Sequence, residues 1–154
     1  MSDPRGRIVG MDLLSQPLAH LRAWVNELVA GCVAERALQR ASEAELALQV
    51  GSIAEVQRLV EALLVDAVGE VMRRSEVAVR DERMTSQLGC RDVIELVQTL
   101  TRVSPQTASR LRRAAKAVRP GVEELSGGLL EAAFPSVREA MLDGVVGVTS
   151  PGVV

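Results

Sequence analysis

Apolar residues recur at intervals of three and four along most of this 154-residue chain, and this spacing constrains its fold more than any other feature. A first run begins with Leu18, Leu21 and Val25, and the longest run extends from Ile53 to Met72. No segment of useful length shows the alternation that is typical of a half-buried strand. The spacing therefore predicts an all-α fold of five or six helices, with a long helical pair and a helix-turn-helix-like unit.

Residues that start or stop helices set the expected boundaries. Ser42 and Glu45 fit a capping box, and Ser104 followed by Pro105 fits an N-cap with a first-turn proline. We expect helices over about 17–40, 42–51, 53–74, 91–102, 105–118 and 135–143, with loops over 75–89 and 121–134. Residues 1–16 are predicted to form a flexible leader, and 17–154 a single helical domain. Its C-terminal end looks truncated, because Ser150 and Pro151 resemble the start of a further helix.

Composition excludes several classes of function. Trp24 and Phe134 are the only aromatic residues, which excludes surfaces that stack bases on several rings and leaves Trp24 as an expected core anchor. One histidine and two distant cysteines cannot assemble the common zinc sites. No nucleophile–base pair is identifiable. We therefore predict no catalytic residue, no metal site, no cofactor and no small-molecule ligand, so the chain is not expected to be an enzyme.

The sequence predicts a cytoplasmic protein without membrane contact. The longest stretch that lacks Asp, Glu, Lys and Arg runs from 144 to 154, far short of the ~20 residues that span a bilayer. The N-terminal segment has no apolar core like that of a secretory signal. Cys32 and Cys90 are accordingly expected to be reduced thiols.

The segment from Arg102 to Arg119 carries six of the chain's 18 basic residues and no acidic residue. At about 100° per residue, its apolar side chains occupy one side of a helix and its cations the other. The apolar side consists of Ala108, Leu111, Ala114, Ala115 and Val118. The cationic side consists of Arg110, Arg112, Arg113, Lys116 and Arg119.

The helices expected on either side of Ser104 resemble a bacterial helix-turn-helix, so double-stranded DNA is one candidate partner. The predicted phosphate contacts are the five cations of the second helix, Arg110, Arg112, Arg113, Lys116 and Arg119. Ser104, Thr107 and Ser109 are predicted to lie at the groove edge. A solvated helix face explains the same cations, because arginine outnumbers lysine 17 to 1 in this chain.

The alternative function is a dimerisation or scaffold module, with a second copy of the chain as partner. Its surface would be provided by the long apolar helices. Part of the third helix is predicted to face a partner chain, through Leu59, Leu64, Val68 and Met72.

Several motifs resemble the helical domain of unknown function that precedes HNH endonuclease domains in actinobacterial repeat-family proteins. These are S-x-x-E-L from Ser42, the long helix ending at Arg73-Arg74, the helix start at 88–93, A-x-R-L-x-x-A from Ala108, and the segment from Phe134-Pro135 to Gly144. The resemblance covers about residues 35–154. It implies a nuclease-associated helical domain. Together with the segregated charge of 102–119, it predicts a non-catalytic accessory domain, DNA-binding or positioning, of an HNH-nuclease-like protein. The histidines of the HNH module are missing here, so no nuclease site is transferred to this chain.

Overall fold

A computed structural model describes residues 12–122, 129–132 and 134–148, and the fold is all-α, as predicted. Its elements are α1 (Asp12–Glu35), α2 (Ala37–Arg40), α3 (Glu43–Ser75), a 3₁₀ turn (Arg80–Glu82), α4 (Met84–Gln87), α5 (Val93–Thr101), α6 (Pro105–Val118), the short strands β1 (Pro120–Val122) and β2 (Leu129–Ala132), and α7 (Pro135–Leu142). The chain divides into two compact units between Val50 and Gly51, whereas the sequence predicted one helical domain over 17–154. Within the described ranges, no helix combines the length and hydropathy needed to cross a membrane.

The first unit begins its helix earlier than predicted. α1 starts at Asp12, so 12–16 are helical rather than part of a flexible leader, and the remainder of that leader lies outside the described residues. Pro17 lies inside α1 and not in its first turn. The helix ends at Glu35, because Arg36 adopts a left-handed conformation with φ of 50°. α2 then completes the stretch to Arg40 that the sequence assigned to a single helix.

The side chains of α1 are largely exposed. No side chain described between 14 and 50 is buried. Trp24, which the sequence predicted as a core anchor, is 57% exposed, so that prediction was wrong. The helical spacing of apolar residues predicted α1, but spacing within one helix does not show whether another element packs against its apolar side.

The capping box at the start of α3 is confirmed. The N–H of Glu45 donates to Ser42 Oγ at 3.3 Å, and the N–H of Ser42 donates to Glu45 Oε2 at 2.8 Å. The Ser42 hydroxyl, which donates to Glu45 Oε2 at 2.7 Å, and the Ser42 N–H lower the pKa of the Glu45 carboxyl. From this cap α3 continues through Gly51 and Ser52, where the sequence predicted a break. A glycine inside a helix costs only about 1 kcal/mol relative to alanine, so it does not end a helix that is otherwise well formed.

The second unit contains the hydrophobic core. Its buried cluster consists of Ala62, Val65, Val68 and Met72 of α3, Val97 of α5, Ala108, Leu111, Ala114, Ala115 and Val118 of α6, Met141 of α7, and Val148. Val68 and Met72 therefore pack inside the chain and not against a partner, contrary to the prediction. Their side of α3 includes Ala62 and Val65, and this stripe meets α6. Of the other two residues in that prediction, Leu64 is half-buried and Leu59 is exposed.

The connections contain more structure than the sequence predicted. The expected loop over 75–89 holds the 3₁₀ turn and α4, whose Thr85 is buried. The expected loop over 121–134 contains β2 and most of β1, which pair antiparallel with Pro120 opposite Ala132. α7 ends at Leu142, just before the predicted stop at 143–144, and Gly144 follows with φ of 70°. The helix start predicted at 150–151 lies outside the described residues.

Hydrogen bonds from α3 hold the segment that follows α7. Arg58 Nε donates to the carbonyl oxygen of Gly144, and Glu61 Oε2 accepts the N–H of Val148 at 2.8 Å. Arg138 of α7 bonds both Asp66 Oδ1 at 3.2 Å and the carbonyl oxygen of Val118 at 3.3 Å. These contacts join α3 and α7 to the end of α6, which fixes the position of α6 within this unit.

Candidate nucleic-acid interface

α5, a three-residue turn and α6 form a helix-turn-helix-like unit. Asp92 caps α5 by accepting the N–H of Glu95 at 2.9 Å. Arg102, with φ of 58°, ends α5 and reverses the chain. Ser104 then caps α6, and Pro105 occupies its first turn, as the sequence predicted. A short turn between two capped helices is the arrangement that presents a second helix to a DNA groove.

One face of α6 is packed tightly against the core. Ala108, Ala114 and Ala115 have no exposed surface, and Leu111 and Val118 are nearly as buried. Three alanines on this face allow the backbone of α6 to approach its neighbours closely. Because burial fixes the rotation of α6 about its own axis, the residues on the opposite face must point outward.

The outward face of α6 carries four exposed cations: Arg110, Arg112, Arg113 and Lys116. At 100° per residue they span an arc of roughly 160°, centred opposite the buried face. None of the four forms an ion pair with another residue that the structure describes. Within the described part of the chain, no carboxylate therefore offsets these four charges.

Arg119, the fifth predicted phosphate contact, lies in a different environment. Its guanidinium pairs with Glu76, at 3.0 Å from Oε2 and 3.1 Å from Oε1, and its side chain is only 28% exposed. The residue follows the last turn of α6 and is extended, with φ of −69° and ψ of 141°. The structure thus brings four of the five predicted cations together and separates the fifth.

The predicted groove-edge hydroxyls fall into two groups. Ser104 Oγ accepts the N–H of Thr107 at 3.2 Å and lies 3.0 Å from Thr107 Oγ1, so these two exposed residues shape the start of α6. Ser109 is half-buried and lies beside Arg110 and Arg113. Together with Pro105 and Gln106, these three residues line an open depression of about 420 Å³.

Besides Glu45 in the capping box, the shifted carboxylates among the described residues belong to local ion pairs. Arg73 and Arg74 donate to Glu70 and lower its pKa from 4.5 to about 2. The backbone N–H and guanidinium of Arg91 lower the pKa of Glu95. Among the residues described, no group of three His, Cys, Asp or Glu side chains could hold a metal ion. These ion pairs join residues one turn apart at the end of α3 and at the start of α5.

Exposed apolar side chains are a second notable feature of α1 and of α3, the helices that the sequence offered as the surface of a dimerisation module. On α1 they are Leu14, Leu18, Leu21, Trp24, Val25, Leu28, Val29 and Val33. On α3 they are Leu46, Leu48, Val50, Ile53, Val56, Leu59, Val60 and Leu63. Runs of exposed apolar side chains on this scale are typical of protein–protein contact surfaces.

Comparison with protein-family models, curated proteins and solved structures gave no match. The resemblance to a nuclease-associated helical domain consequently stays a prediction from the motifs quoted above.

Proposed function

We propose that this chain is a non-catalytic accessory domain that contacts duplex DNA through the cations of α6, in an HNH-nuclease-like protein. The observation that carries the DNA contact is the set of four exposed cations opposite the buried face of α6, none of them paired with a residue that the structure describes. The nuclease association rests on the sequence resemblance alone. The proposal includes a cytoplasmic location, where DNA is accessible.

The dimensions of α6 suit a DNA groove. An α-helix with its side chains is about 10–12 Å across, and the major groove of B-DNA is about 12 Å wide. Arg110 and Lys116 are six residues apart, which is about 9 Å along the helix axis. Cations at this spacing can reach phosphates on both sides of a groove. Ser109, beside Arg110 and Arg113, is placed to approach a base edge.

The number of free cations fixes the expected salt dependence. Each neutralised phosphate contributes about −0.9 to the slope of log K against log salt, so four contacts give about −3.6. Affinity should then fall about 150-fold between 50 and 200 mM salt. Five contacts, including Arg119, would have given about −4.5, but Arg119 is already neutralised by Glu76.

The test is fluorescence anisotropy with a labelled random duplex at several salt concentrations. We expect salt-sensitive binding by the intact chain and its loss in the triple variant Arg112→Glu, Arg113→Glu, Lys116→Glu. A matched triple variant, Arg36→Glu, Arg40→Glu, Arg80→Glu, makes the same charge change at exposed positions outside α6. Far-UV circular dichroism checks that both variants keep their helicity. Equal loss of binding in both, or salt-independent binding by the intact chain, would overturn the proposal.

Self-association is a second candidate function, favoured by the exposed apolar side chains of α1 and α3. Single exposed apolar residues are ordinary, but eight large ones on one helix are not. Light scattering tests this function directly, because the chain has a mass of 16.5 kDa and a dimer has twice that mass. A monomer at every concentration up to the millimolar range would refute it.

A further inference from the structure

We propose that a second copy of this chain packs in parallel along a heptad seam on α1; the proposal rests on self-association as the function of the apolar helices. The seam is defined as Leu14, Leu18, Leu21, Val25, Leu28 and Cys32. Its intervals are four, three, four, three and four residues. That pattern places Leu18, Val25 and Cys32 at the a positions of a coiled coil and Leu14, Leu21 and Leu28 at the d positions.

The seam is accessible along α1. Its five aliphatic side chains are 37–60% exposed, and Cys32 is half-buried. Trp24 and Val29, which flank the seam at g and e positions, are 57% and 56% exposed. α1 has 24 residues, which give a continuous helix about 36 Å long. The structure therefore presents an apolar stripe of coiled-coil spacing with solvent in front of it.

The area of this stripe fits a dimer. A large aliphatic side chain that is half exposed still presents ~80 Å² to solvent, which corresponds to about 2 kcal/mol on burial. The five aliphatic seam residues and the flanking Trp24 and Val29 give ~560 Å² for each copy and ~1,100 Å² for a pair, which exceeds the ~1,000 Å² expected of a specific interface. A helix with the same stripe is its natural complement, because a and d side chains pack into the holes that an identical helix provides.

Charge placement favours the parallel orientation. In a parallel pair, each g residue faces an e residue of the other copy, so Trp24 meets Val29, and Arg22 meets Pro17. An antiparallel pair can also align all six seam residues of each copy, and the e residues of one copy then face the e residues of the other. Arg22 would then lie opposite Arg22 of the second copy, and like charges placed directly opposite each other are destabilising. Within a parallel coil, leucine at all three d positions and Val25 at one of the three a positions agree with two strands rather than more.

Cys32 provides a direct probe of orientation. In the parallel pair the two Cys32 side chains meet at the same layer of the seam. In the aligned antiparallel pair they lie 18 residues apart along the axis, which is about 27 Å. A bismaleimide with a two-carbon spacer can link two thiols in the first arrangement and is too short for the second. We expect a covalent dimer from the intact chain, unchanged in Cys90→Ser and absent in Cys32→Ser.

A pair of aspartate substitutions tests the seam itself. Leu21→Asp inserts a charge at a d position, and Ala23→Asp inserts the same charge at an exposed f position on the opposite side of α1. We expect Leu21→Asp to raise the dimer dissociation constant at least about 100-fold, since each dimer loses two contacts worth about tenfold each. Ala23→Asp should leave it unchanged.

The outcomes separate this inference from the function on which it rests. A dimer by light scattering that gives no link at Cys32, or that survives Leu21→Asp, would overturn the parallel seam and leave self-association standing. A monomeric intact chain would overturn both. A dimer that links at Cys32 and dissociates in Leu21→Asp, but not in Ala23→Asp, would establish the seam.

Discussion

Removing the charge of Glu76 should add a fifth phosphate contact to the proposed DNA surface. Glu76 holds the guanidinium of Arg119 at 3.0 and 3.1 Å, directly after the last turn of α6. The substitution Glu76→Gln keeps the size of the side chain and removes its negative charge. Arg119 would then be available to a phosphate in the same way as Arg110 or Arg113.

The size of the effect follows from the number of free cations. The slope of log K against log salt should steepen from about −3.6 in the intact chain to about −4.5 in Glu76→Gln. Between 50 and 200 mM salt, the loss of affinity should grow from about 150-fold to about 500-fold. The cost to folding should stay below about 1 kcal/mol, because exposed ion pairs contribute little to stability.

Fluorescence anisotropy over a salt series measures both slopes. The matched control is Glu43→Gln, which removes one negative charge at an exposed position in the first turn of α3. An identical change of slope in the control would mean that net charge, and not Arg119, causes the effect. An unchanged slope in Glu76→Gln would refute the reasoning, as would a slope of −4.5 already present in the intact chain.

Three further predictions concern stability. Gly51→Ala should raise the free energy of unfolding by about 1 kcal/mol in chemical denaturation, because no atom outside its own helix lies within 4 Å of the added Cβ. Gly147→Ala should lower it by about 1–3 kcal/mol, because its Cβ would lie 2.5 Å from Glu61 Oε2, the oxygen that binds Val148 N–H. A thermal midpoint equal to that of the intact chain would contradict this second expectation. Glu70→Gln should cost less than about 1 kcal/mol at pH 7, because Glu70 is 42% exposed. The depressed pKa of Glu70 means that its contribution is complete above about pH 4.5 and is lost as the pH falls through about 2, so both proteins should be equally stable once the pH is well below 2. A difference that persists there would argue against the ion pair as its cause.

The second unit shows which parts of the fold the sequence could predict. α6 begins at Pro105 after the predicted Ser104 cap, and α7 ends at Leu142, just before the predicted stop at 143–144. These boundaries depend on side chains within a few residues of each other, so local sequence specifies them. Val68 and Met72 were assigned wrongly because their surroundings depend on α6 and α7, elements distant in sequence. Periodicity within α3 cannot show which of its apolar sides those elements will cover.

For the candidate interface, too, the sequence predicts some features and not others. The exposed positions of Arg110, Arg112, Arg113 and Lys116 follow from the spacing of the apolar face of α6, and the structure bears that spacing out. The pairing of Arg119 joins residues 43 positions apart, and no pattern near either of them signals it. Ion pairs between residues so distant in sequence can be identified only from a structure, because the path of the chain between them decides which surface charges meet.

The segment after α7 has a consequence for how this sequence can vary. Arg58 and Glu61, one turn apart on α3, form hydrogen bonds with main-chain atoms of Gly144 and Val148 rather than with their side chains. Most substitutions at the exposed Val145 should therefore be tolerated, since its side chain takes no part in these hydrogen bonds. A saturation mutagenesis scan should find a permissive position at 145 bordered by restrictive ones at 144 and 147, with matching restriction at 58 and 61. Tolerance to substitution along these residues would therefore follow the main-chain contacts and not the hydrophobicity of the side chains.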